Sequence, residues 1–424
     1  MKNSSWLDRA KELDAKDPLN AFRHKFLNEN PFLIYLDGNS LGKLPIATSE
    51  LLKRVIHDQW GRDLIDSWNK HWYHKSLEIG NKVARIIGAD EDEVIISDNT
   101  SINLYKLAKA AIQIQNPRKT ILSDDLNFPS DLYILKGIAD QQNLRFDLVN
   151  SADGMTINNN DVKQHLTEDV ALVSFTHVAF KSAFMYDMAK ITALAHEVGS
   201  LTLWDLSHSV GAVPLNMKRA NVDMAVGCTY KYLNGGPGAP AFLYVRKDLQ
   251  EKLFSPVQGW FGAADMFDFK LGYQPENGIR RFLTGTPPVI SLSAIEPGVD
   301  LILEAGIKEI REKSIAMSEY FISIWKSELT PLGFAMASPS NSHERGSHIS
   351  VSHEEAFRIT KALMNKRVDG FRIIPDFRAP NNIRLGFAPL YNSFEEIYRL
   401  AEKLKLITSK KIYKDYSHAK DAVT

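Results

Sequence analysis

The chain has 424 residues, with 51 Lys and Arg against 51 Asp and Glu, and therefore a formal net charge of zero. This length can bury a large core, which excludes a small disulfide-stapled scaffold, and the balanced charge argues against nucleic acid and anionic membranes as partners. The one cysteine, Cys228, cannot form an internal disulfide, and the N-terminus lacks the apolar run of a signal peptide, so we expect a cytoplasmic protein without a membrane span.

The predicted elements alternate between short apolar strands and amphipathic helices from about residue 91 onward. The N-terminal stretch to about residue 30 is predicted to be helical. Strands are predicted at 94–97, 120–123, 170–175, 201–205, 224–228 and 241–245, of which the last two are expected to pair. Helices are predicted at 101–114, 129–140 and 188–198. This alternation is typical of a parallel α/β sheet.

After about residue 297 the pattern changes. It predicts one long helix over 298–326, short strands at 346–352 and 383–387, and a helix over 393–406. We interpret this region as a smaller α+β domain. The expected division is a large α/β domain over 50–297, and a small domain formed by 1–49 together with 298–424.

Polar residues that directly follow the predicted strands are candidates for a site, because ligands of open parallel sheets bind beyond the carboxyl ends of the strands. Asn99, Thr100 and Ser101 are good helix N-cap types and could bind a phosphate, although plain capping is the preferred interpretation of this feature alone. Phe128 precedes Pro129 at a helix start. Its ring could stack on a planar cofactor or simply pack the helix entry.

Two further strand ends carry more specific chemistry. Asp205 ends an apolar run and is followed by His208; it could cap the next turn or face the protonated nitrogen of a pyridine cofactor. Lys231 lies between Tyr230 and Tyr232, before a glycine-dense turn, where a desolvated amine can form a Schiff base with an aldehyde. Phosphate-binding caps, a ring, an aspartate and a lysine in this order fit one cofactor, pyridoxal 5'-phosphate (PLP).

These residues belong to a longer series of segments that resembles the kynureninase family, hydrolases of the aspartate aminotransferase fold type. The similar segments, in chain order, are 35–42, 100–104, 128–131, 204–208, 229–238, 259–262, 345–348 and 383–386. They extend over about residues 35–390. The resemblance implies the PLP-dependent transferase-like fold type I, with a mostly parallel seven-stranded sheet flanked by helices and a smaller α+β domain.

The resemblance also implies roles for individual residues. Lys231 would hold PLP covalently as a Schiff base, Asp205 would pair with the pyridine nitrogen, and Tyr230 is a hypothetical proton carrier, as is Tyr273. The other implied cofactor contacts are Phe128 stacked on the ring, Asp131 near it, Thr100, Ser101 and Tyr230 around the phosphate, Thr176 and His208 in the pocket, and Trp260 and Thr286 from the second subunit. Arg384 would bind the substrate α-carboxylate, and Trp68 the aromatic end of the substrate.

The activity implied is hydrolysis of the Cβ–Cγ bond of L-kynurenine, 3-hydroxy-L-kynurenine or both, in tryptophan catabolism or NAD synthesis, by a homodimer with shared active sites. A cysteine desulfurase, a selenocysteine lyase and an aminotransferase of the same fold are the alternatives. A desulfurase needs a reactive cysteine on a mobile loop, whereas Cys228 lies in an apolar run. A PLP-binding regulator would usually bring a DNA-binding domain, which neither the charge nor the length before Tyr35 provides.

Three local features depart from known motifs. Residues 38–43 look like a phosphate-binding P-loop, but the spacing between the glycines is one residue short. His343, His348 and His353 recur at five-residue spacing, which suits neither a helical nor a single-strand zinc site, so we expect no metal. Ala183 stands where the resemblance leads us to expect a glycine, which leaves the shape of that loop open.

Overall fold

The computed structural model describes residues 5–419. Its helices, in chain order, are α1 (Trp6–Ala15), α2 (Ile46–Arg54), α3 (Lys75–Ile87), α4 (Thr100–Ile114), α5 (Pro129–Gln142), α6 (Asn159–His165), α7 (Met188–Glu197), α8 (Lys247–Gln250), α9 (Val289–Ala305), α10 (Ile307–Ile324), α11 (Ala356–Met364) and α12 (Phe394–Ser409). Its strands are β1 (Leu33–Tyr35), β2 (Val94–Ile96), β3 (Thr120–Asp124), β4 (Arg145–Val149), β5 (Val170–Thr176), β6 (Leu201–Asp205), β7 (Met224–Gly227), β8 (Phe242–Val245), β9 (Ala335–Met336), β10 (His348–Ser352), β11 (Arg372–Ile374), β12 (Asp376–Arg378) and β13 (Asn382–Gly386). Together these elements place the predicted strand ends at one edge of a large sheet.

The large sheet has seven strands in the order β2-β8-β7-β6-β5-β3-β4. Strand β8 runs antiparallel to both β2 and β7, and the other neighbouring strands are parallel. The predicted mostly parallel sheet and the predicted pairing of the last two strands are therefore confirmed. Every residue of β5 and β6 is buried, as expected for central strands with helices on both faces.

A second, smaller sheet is antiparallel and has the order β12-β13-β10-β9, while β1 and β11 form a separate parallel pair. The hydrophobic core beside this smaller sheet contains residues from both ends of the chain. Ala10, Ile34 and Leu36 come from the N-terminal end, and the other residues lie between 317 and 407. Two ties bind the N-terminal segment there. Asp14 accepts hydrogen bonds from the first backbone N–H groups of α12, and Asp17 forms a buried ion pair with Lys313 at 2.7 Å.

The single helix predicted over 298–326 is wrong in two respects. The first helix, α9, already begins at Val289 and has Pro297 inside it. A second helix, α10, follows after Gly306, whose φ of +81° breaks the helical path and favours glycine. The exact domain boundaries, 50–297 and 1–49 with 298–424, stay a prediction. Within residues 5–419 the structure has no helix that is both long and apolar enough to span a membrane.

Ala183 shows how the loop keeps its shape without the expected glycine. Its φ of 62° lies in the left-handed region, which glycine adopts most readily. Its carbonyl accepts a hydrogen bond from the Gly346 N–H at 2.8 Å, and its neighbour Phe184 bridges to Arg345. The loop therefore docks on the segment that leads into β10.

Candidate active site

The site forms at the carboxyl edge of the large sheet. Strands β6 and β5 are neighbours and parallel, with Thr176 in register with Asp205, so both residues reach the edge together. Lys231 follows β7, the neighbour on the other side, and α5 after β3 brings Asp131 to the same place. The sheet topology thus gathers side chains from four separate stretches of chain.

Asp205 and Asp131 form a buried pair of carboxyl groups. Asp205 Oδ1 accepts hydrogen bonds from the Ser207 N–H at 2.8 Å and the Ser207 hydroxyl at 2.6 Å, while Asp131 Oδ2 has no partner. Burial raises the pKa of both groups, and the nearby Asp205 carboxylate raises that of Asp131 further, whereas Lys231 and Ser207 oppose the rise at Asp205. The contacts of Asp205 with Lys231 and Ser207 thus favour the negative charge on Asp205 and the proton on Asp131.

Lys231 lies within reach of three predicted site residues. Its Nζ is 3.3 Å from His208 Nε2, 5.8 Å from the centre of the Phe128 ring and 5.9 Å from that of Tyr230. Burial, followed by the charge on Lys231, lowers the pKa of His208 well below its usual range. The imidazole is consequently neutral and can accept a hydrogen bond from the amine. The Cys228 side chain and burial raise the pKa of Tyr230, so its phenol is a proton donor.

Phe128 presents an aromatic face beside the lysine. Its side chain is 38% exposed, and it packs edge-on against Phe180 with ring centres 5.3 Å apart. A half-exposed ring held in this way can stack on a planar ligand. Thr176 is buried and donates its hydroxyl proton to the Val178 carbonyl at 3.2 Å.

A cavity of about 510 Å³ adjoins the N-terminus of α4. Asn99 caps this helix by accepting a hydrogen bond from the Ile102 N–H, and Ser101 Oγ lies 3.0 Å from Ser130 Oγ. The polar or functionally predicted residues that line the cavity include Ser97, Asp98, Asn99, Tyr230, Thr284 and Thr286. Free backbone N–H groups of α4, next to Thr100 and Ser101, suit a phosphate at this point. Thr286 lines the cavity of its own chain. Its contact with the cofactor phosphate of a partner subunit stays a prediction.

Arg384 is buried on β13 and is already bound by protein groups. Its Nη1 donates to the Phe180 carbonyl at 2.7 Å, and its Nη2 donates to Ser40 Oγ at 2.7 Å and pairs with Asp376 at 2.6 Å. Burial lowers its pKa, against the effect of Asp376. Its Nε has no partner. The role in binding a carboxylate stays a prediction.

Two predicted tryptophans lie in a separate aromatic cluster. Trp68 and Trp260 both contact Phe261, with ring centres 5.5 Å and 4.8 Å apart. Trp68 also packs edge-on against Trp72, and Trp260 is 42% exposed. Tyr273, the second candidate proton carrier, donates to the Gly262 carbonyl beside this cluster, and burial raises its pKa. Within one chain this cluster, rather than Lys231, supplies the contacts of both tryptophans.

Sequence reasoning missed several polar residues near Arg384. Asp376 forms an ion pair with its guanidinium, and the charge on Arg384 acts on the buried His348. The buried Asn39 lies against Gly386, two residues further along β13. The sequence pattern raises His348 only as a metal ligand, and among residues 5–419 no group of three or more His, Cys, Asp or Glu is placed to hold a metal ion. The available signal was the presence of Asn39 and His348 inside the similar segments 35–42 and 345–348.

Sequence comparisons identify relatives of this chain. A family model described as the kynureninase C-terminal domain matches residues 310–404. A kynureninase from Pseudomonas fluorescens is 40% identical over 409 residues, 95% of each chain. Another from Burkholderia mallei (strain SAVP1) is 38% identical over 403 residues, 94% of each chain.

Solved structures confirm the predicted fold class. A cysteine desulfurase from Thermococcus onnurineus NA1 has a TM-score of 0.75 at 19% identity, covering 94% of this chain and 98% of its own. A C-DES mutant with glycine covalently linked to the PLP cofactor has a TM-score of 0.77 at 18% identity, covering 90% and 98%. At such low identity these two likenesses concern the fold alone.

Proposed function

The chain belongs to the kynureninase family, and on this premise we propose that it hydrolyses the Cβ–Cγ bond of L-kynurenine, 3-hydroxy-L-kynurenine or both. The products are L-alanine and anthranilate or 3-hydroxyanthranilate, in tryptophan catabolism or NAD synthesis. The observation that carries the proposal is 40% identity to a kynureninase along 95% of both chains. Its cofactor is PLP.

The residues present fit that cofactor. A lysine amine, a buried carboxylate and a half-exposed ring converge at one sheet edge, and a helix N-terminus adjoins them. The buried Asp131 Oδ2 without a partner is an atom that a bound heterocycle would satisfy. Bound there, PLP supplies an electron sink for charge that develops on the substrate carbons.

The chain's own residues divide the remaining work. Asp205 keeps its negative charge in a buried setting, which favours a protonated nitrogen opposite it. Lys231 would hold the cofactor, and its amine removes and returns a proton at the substrate α-carbon. Tyr230 donates a proton at the carbon released as alanine, because its raised pKa keeps the phenol protonated. Arg384 orients the substrate through its carboxylate.

We further propose a cytoplasmic homodimer in which Trp260 and Thr286 reach the phosphate site of the partner. Support comes from exposed apolar side chains after Trp260: Phe267, Phe269 and Leu271 are exposed by 70%, 78% and 107%. Apolar surface of this kind is typical of an interface. Mixing Lys231→Ala with Trp260→Ala protomers tests the shared site: about a quarter of wild-type activity should return, because half of the dimers pair the two variants and each holds one intact site. No recovery in verified mixed dimers would refute sharing.

The desulfurase alternative loses support from Cys228. Its side chain is 2% exposed, its Sγ lies 3.9 Å from the Ser207 carbonyl, and burial raises the pKa of the thiol. A nucleophilic cysteine needs the opposite setting.

The test of the proposed function is a spectrum followed by turnover. Purified protein should show a visible cofactor band that Lys231→Ala loses, and addition of L-kynurenine should produce anthranilate fluorescence in the parent only. Parallel assays with 3-hydroxy-L-kynurenine decide which substrate is preferred. A coloured protein that turns over neither substrate would refute the activity, and a colourless protein that PLP cannot reconstitute would refute the cofactor as well.

A further inference from the structure

We propose that His348 and Asn39 complete, together with Arg384, the receptor for the α-carboxylate of the amino-acid substrate, an inference that rests on the function proposed above. The three side chains come from β10, from the loop after β1 and from β13. They meet beside Gly386, the last residue of β13.

Arg384 cannot bind a carboxylate with two parallel N–H groups while its present bonds persist. The Phe180 carbonyl takes Nη1, and Ser40 and Asp376 take Nη2. Asp37 also approaches Nη2, at 4.0 Å. Nε alone among the guanidinium nitrogens has no partner. The side chain is only 1% exposed, so water does not take the place of that partner. A carboxylate bound at Nε has a second oxygen, which needs a donor from another residue.

His348 is in the right place to be that donor. In the antiparallel pair of β10 and β13, Ser350 lies opposite Arg384 and His348 opposite Gly386. His348 and Arg384 are therefore diagonal neighbours on one face of the sheet, within reach of long side chains. The His348 ring also lies 5.6 Å from the ring of His208, which contacts Lys231.

Both ring nitrogens of His348 are buried, and neither makes a well-aligned hydrogen bond to the protein. The Phe180 carbonyl, which already accepts from Arg384 Nη1, is the backbone group that faces the ring. Burial and the charges on Arg384 and Lys231 hold the pKa of His348 well below its usual range. A neutral imidazole offers one N–H donor and one acceptor.

Asn39, from the loop after β1, lies against Gly386 as well. A Cβ at Gly386 would collide with Asn39 Oδ1, so the asparagine amide occupies the position of the absent side chain. Asn39 is fully buried, and both its Nδ2 and its Oδ1 lack partners. Arg384, His348 and Asn39, which all neighbour Gly386, thus carry five buried polar atoms without partners. Buried polar atoms are rarely left unpaired, so together they indicate a polar ligand.

The experiment compares two probes that differ only at the carboxyl group, L-alanine and L-alaninamide, titrated against the holoenzyme through its visible band. The variants are His348→Phe, which removes both nitrogens, His348→Gln, which keeps a donor, and His343→Phe, an exposed histidine, as the matched control. We expect His348→Phe to weaken L-alanine about tenfold or more and L-alaninamide little. His348→Gln should fall between, and His343→Phe should match the wild type. The KM for L-kynurenine should rise more than kcat falls.

The outcomes separate this inference from the proposed function. Unchanged L-alanine binding in a folded, coloured His348→Phe protein refutes the receptor, and so does equal weakening of both probes, which would show that His348 acts through His208 on the lysine. If the Phe variant does not hold PLP, His348→Gln and Asn39→Ala give the same comparison. Wild-type protein that prefers L-alanine over its amide but makes no anthranilate keeps the receptor and refutes the proposed substrate.

Discussion

The candidate site has two halves that the fold assembles in different ways. One half, the sheet-edge group, consists of Asp131, Thr176, Asp205, His208 and Lys231, which follow parallel strands of the large sheet. The other half, the second-sheet group, consists of Asn39, His348, Asp376 and Arg384, which come from antiparallel strands and an N-terminal loop.

The two groups differ in how many of their polar atoms already have a partner within the protein. In the sheet-edge group most of the charged atoms have internal partners, such as Ser207 for Asp205 and His208 for Lys231. Asp131 Oδ2 lacks one, and we assign that atom to the bound cofactor. In the second-sheet group the buried Nε of Arg384 and both nitrogens of His348 have none. The first group is thus organised for chemistry before a substrate arrives, whereas the second awaits a ligand. Changes in the first should lower kcat, and changes in the second should raise KM.

The largest expected effect is at Asp205. Asp205→Asn removes the buried negative charge opposite the cofactor nitrogen, and kcat for anthranilate release should fall about 10²–10³-fold. Asp131→Asn is the matched control, because the amide resembles the protonated acid that the raised pKa of Asp131 indicates. It should stay within about tenfold of the wild type. Equal losses in the two variants would contradict the assignment of the charge to Asp205.

His177 lies beside the sheet-edge group, because it directly follows Thr176, and the charge on Arg311 of α10 acts on its ring. Burial lowers its pKa from 6.5 to about 4, so between these pH values the unfolded chain binds the proton and the folded chain does not. Stability should therefore fall as the pH drops from 6.5 to 4, by about 3 kcal/mol from this group. Urea unfolding of His177→Phe at several pH values should lack this part of the slope. His343→Phe, at an exposed position, should retain it.

Arg384→Lys tests the second-sheet group directly. A lysine cannot reproduce the separate bonds to the Phe180 carbonyl and Ser40, so KM for L-kynurenine should rise about 10- to 100-fold with a smaller change in kcat. Arg378→Lys is the matched control, since Arg378 also pairs with Asp376 but is 35% exposed. A loss confined to kcat in Arg384→Lys would place Arg384 with the sheet-edge group.

The smallest expected effect is on the free energy of unfolding and concerns the joint between α9 and α10. Gly306 separates α9 from α10 with a φ of +81°, so Gly306→Ala should lower the free energy of unfolding by about 1–2 kcal/mol. Gly137 lies inside α5 with open space around it, and Gly137→Ala should instead stabilise by up to about 1 kcal/mol. Chemical denaturation measures both. A Gly306→Ala protein as stable as the wild type would show that the joint tolerates a side chain.

The sequence predicts the sheet-edge group better than the second-sheet group. Asp205 and Lys231 were predictable because Asp205 ends one apolar strand and Lys231 comes four residues after another, and parallel strands end at one edge. The edge strand β4 was not, since Arg145 and Asp147 interrupt its apolar pattern at the border of the sheet. Asp376 and His348 were not assigned roles, because antiparallel strands alternate their faces and the partner of each residue is set by register across distant segments.

The second core also has a consequence for the order of events on the ribosome. It needs Ala10, Ile34 and Leu36 from the beginning of the chain and residues as late as Ile407, with Asp14 capping α12. The large sheet, in contrast, is complete once Val245 has emerged. Nascent chains should therefore acquire protease resistance in the sheet region first, and α1 should stay cleavable until translation is almost finished.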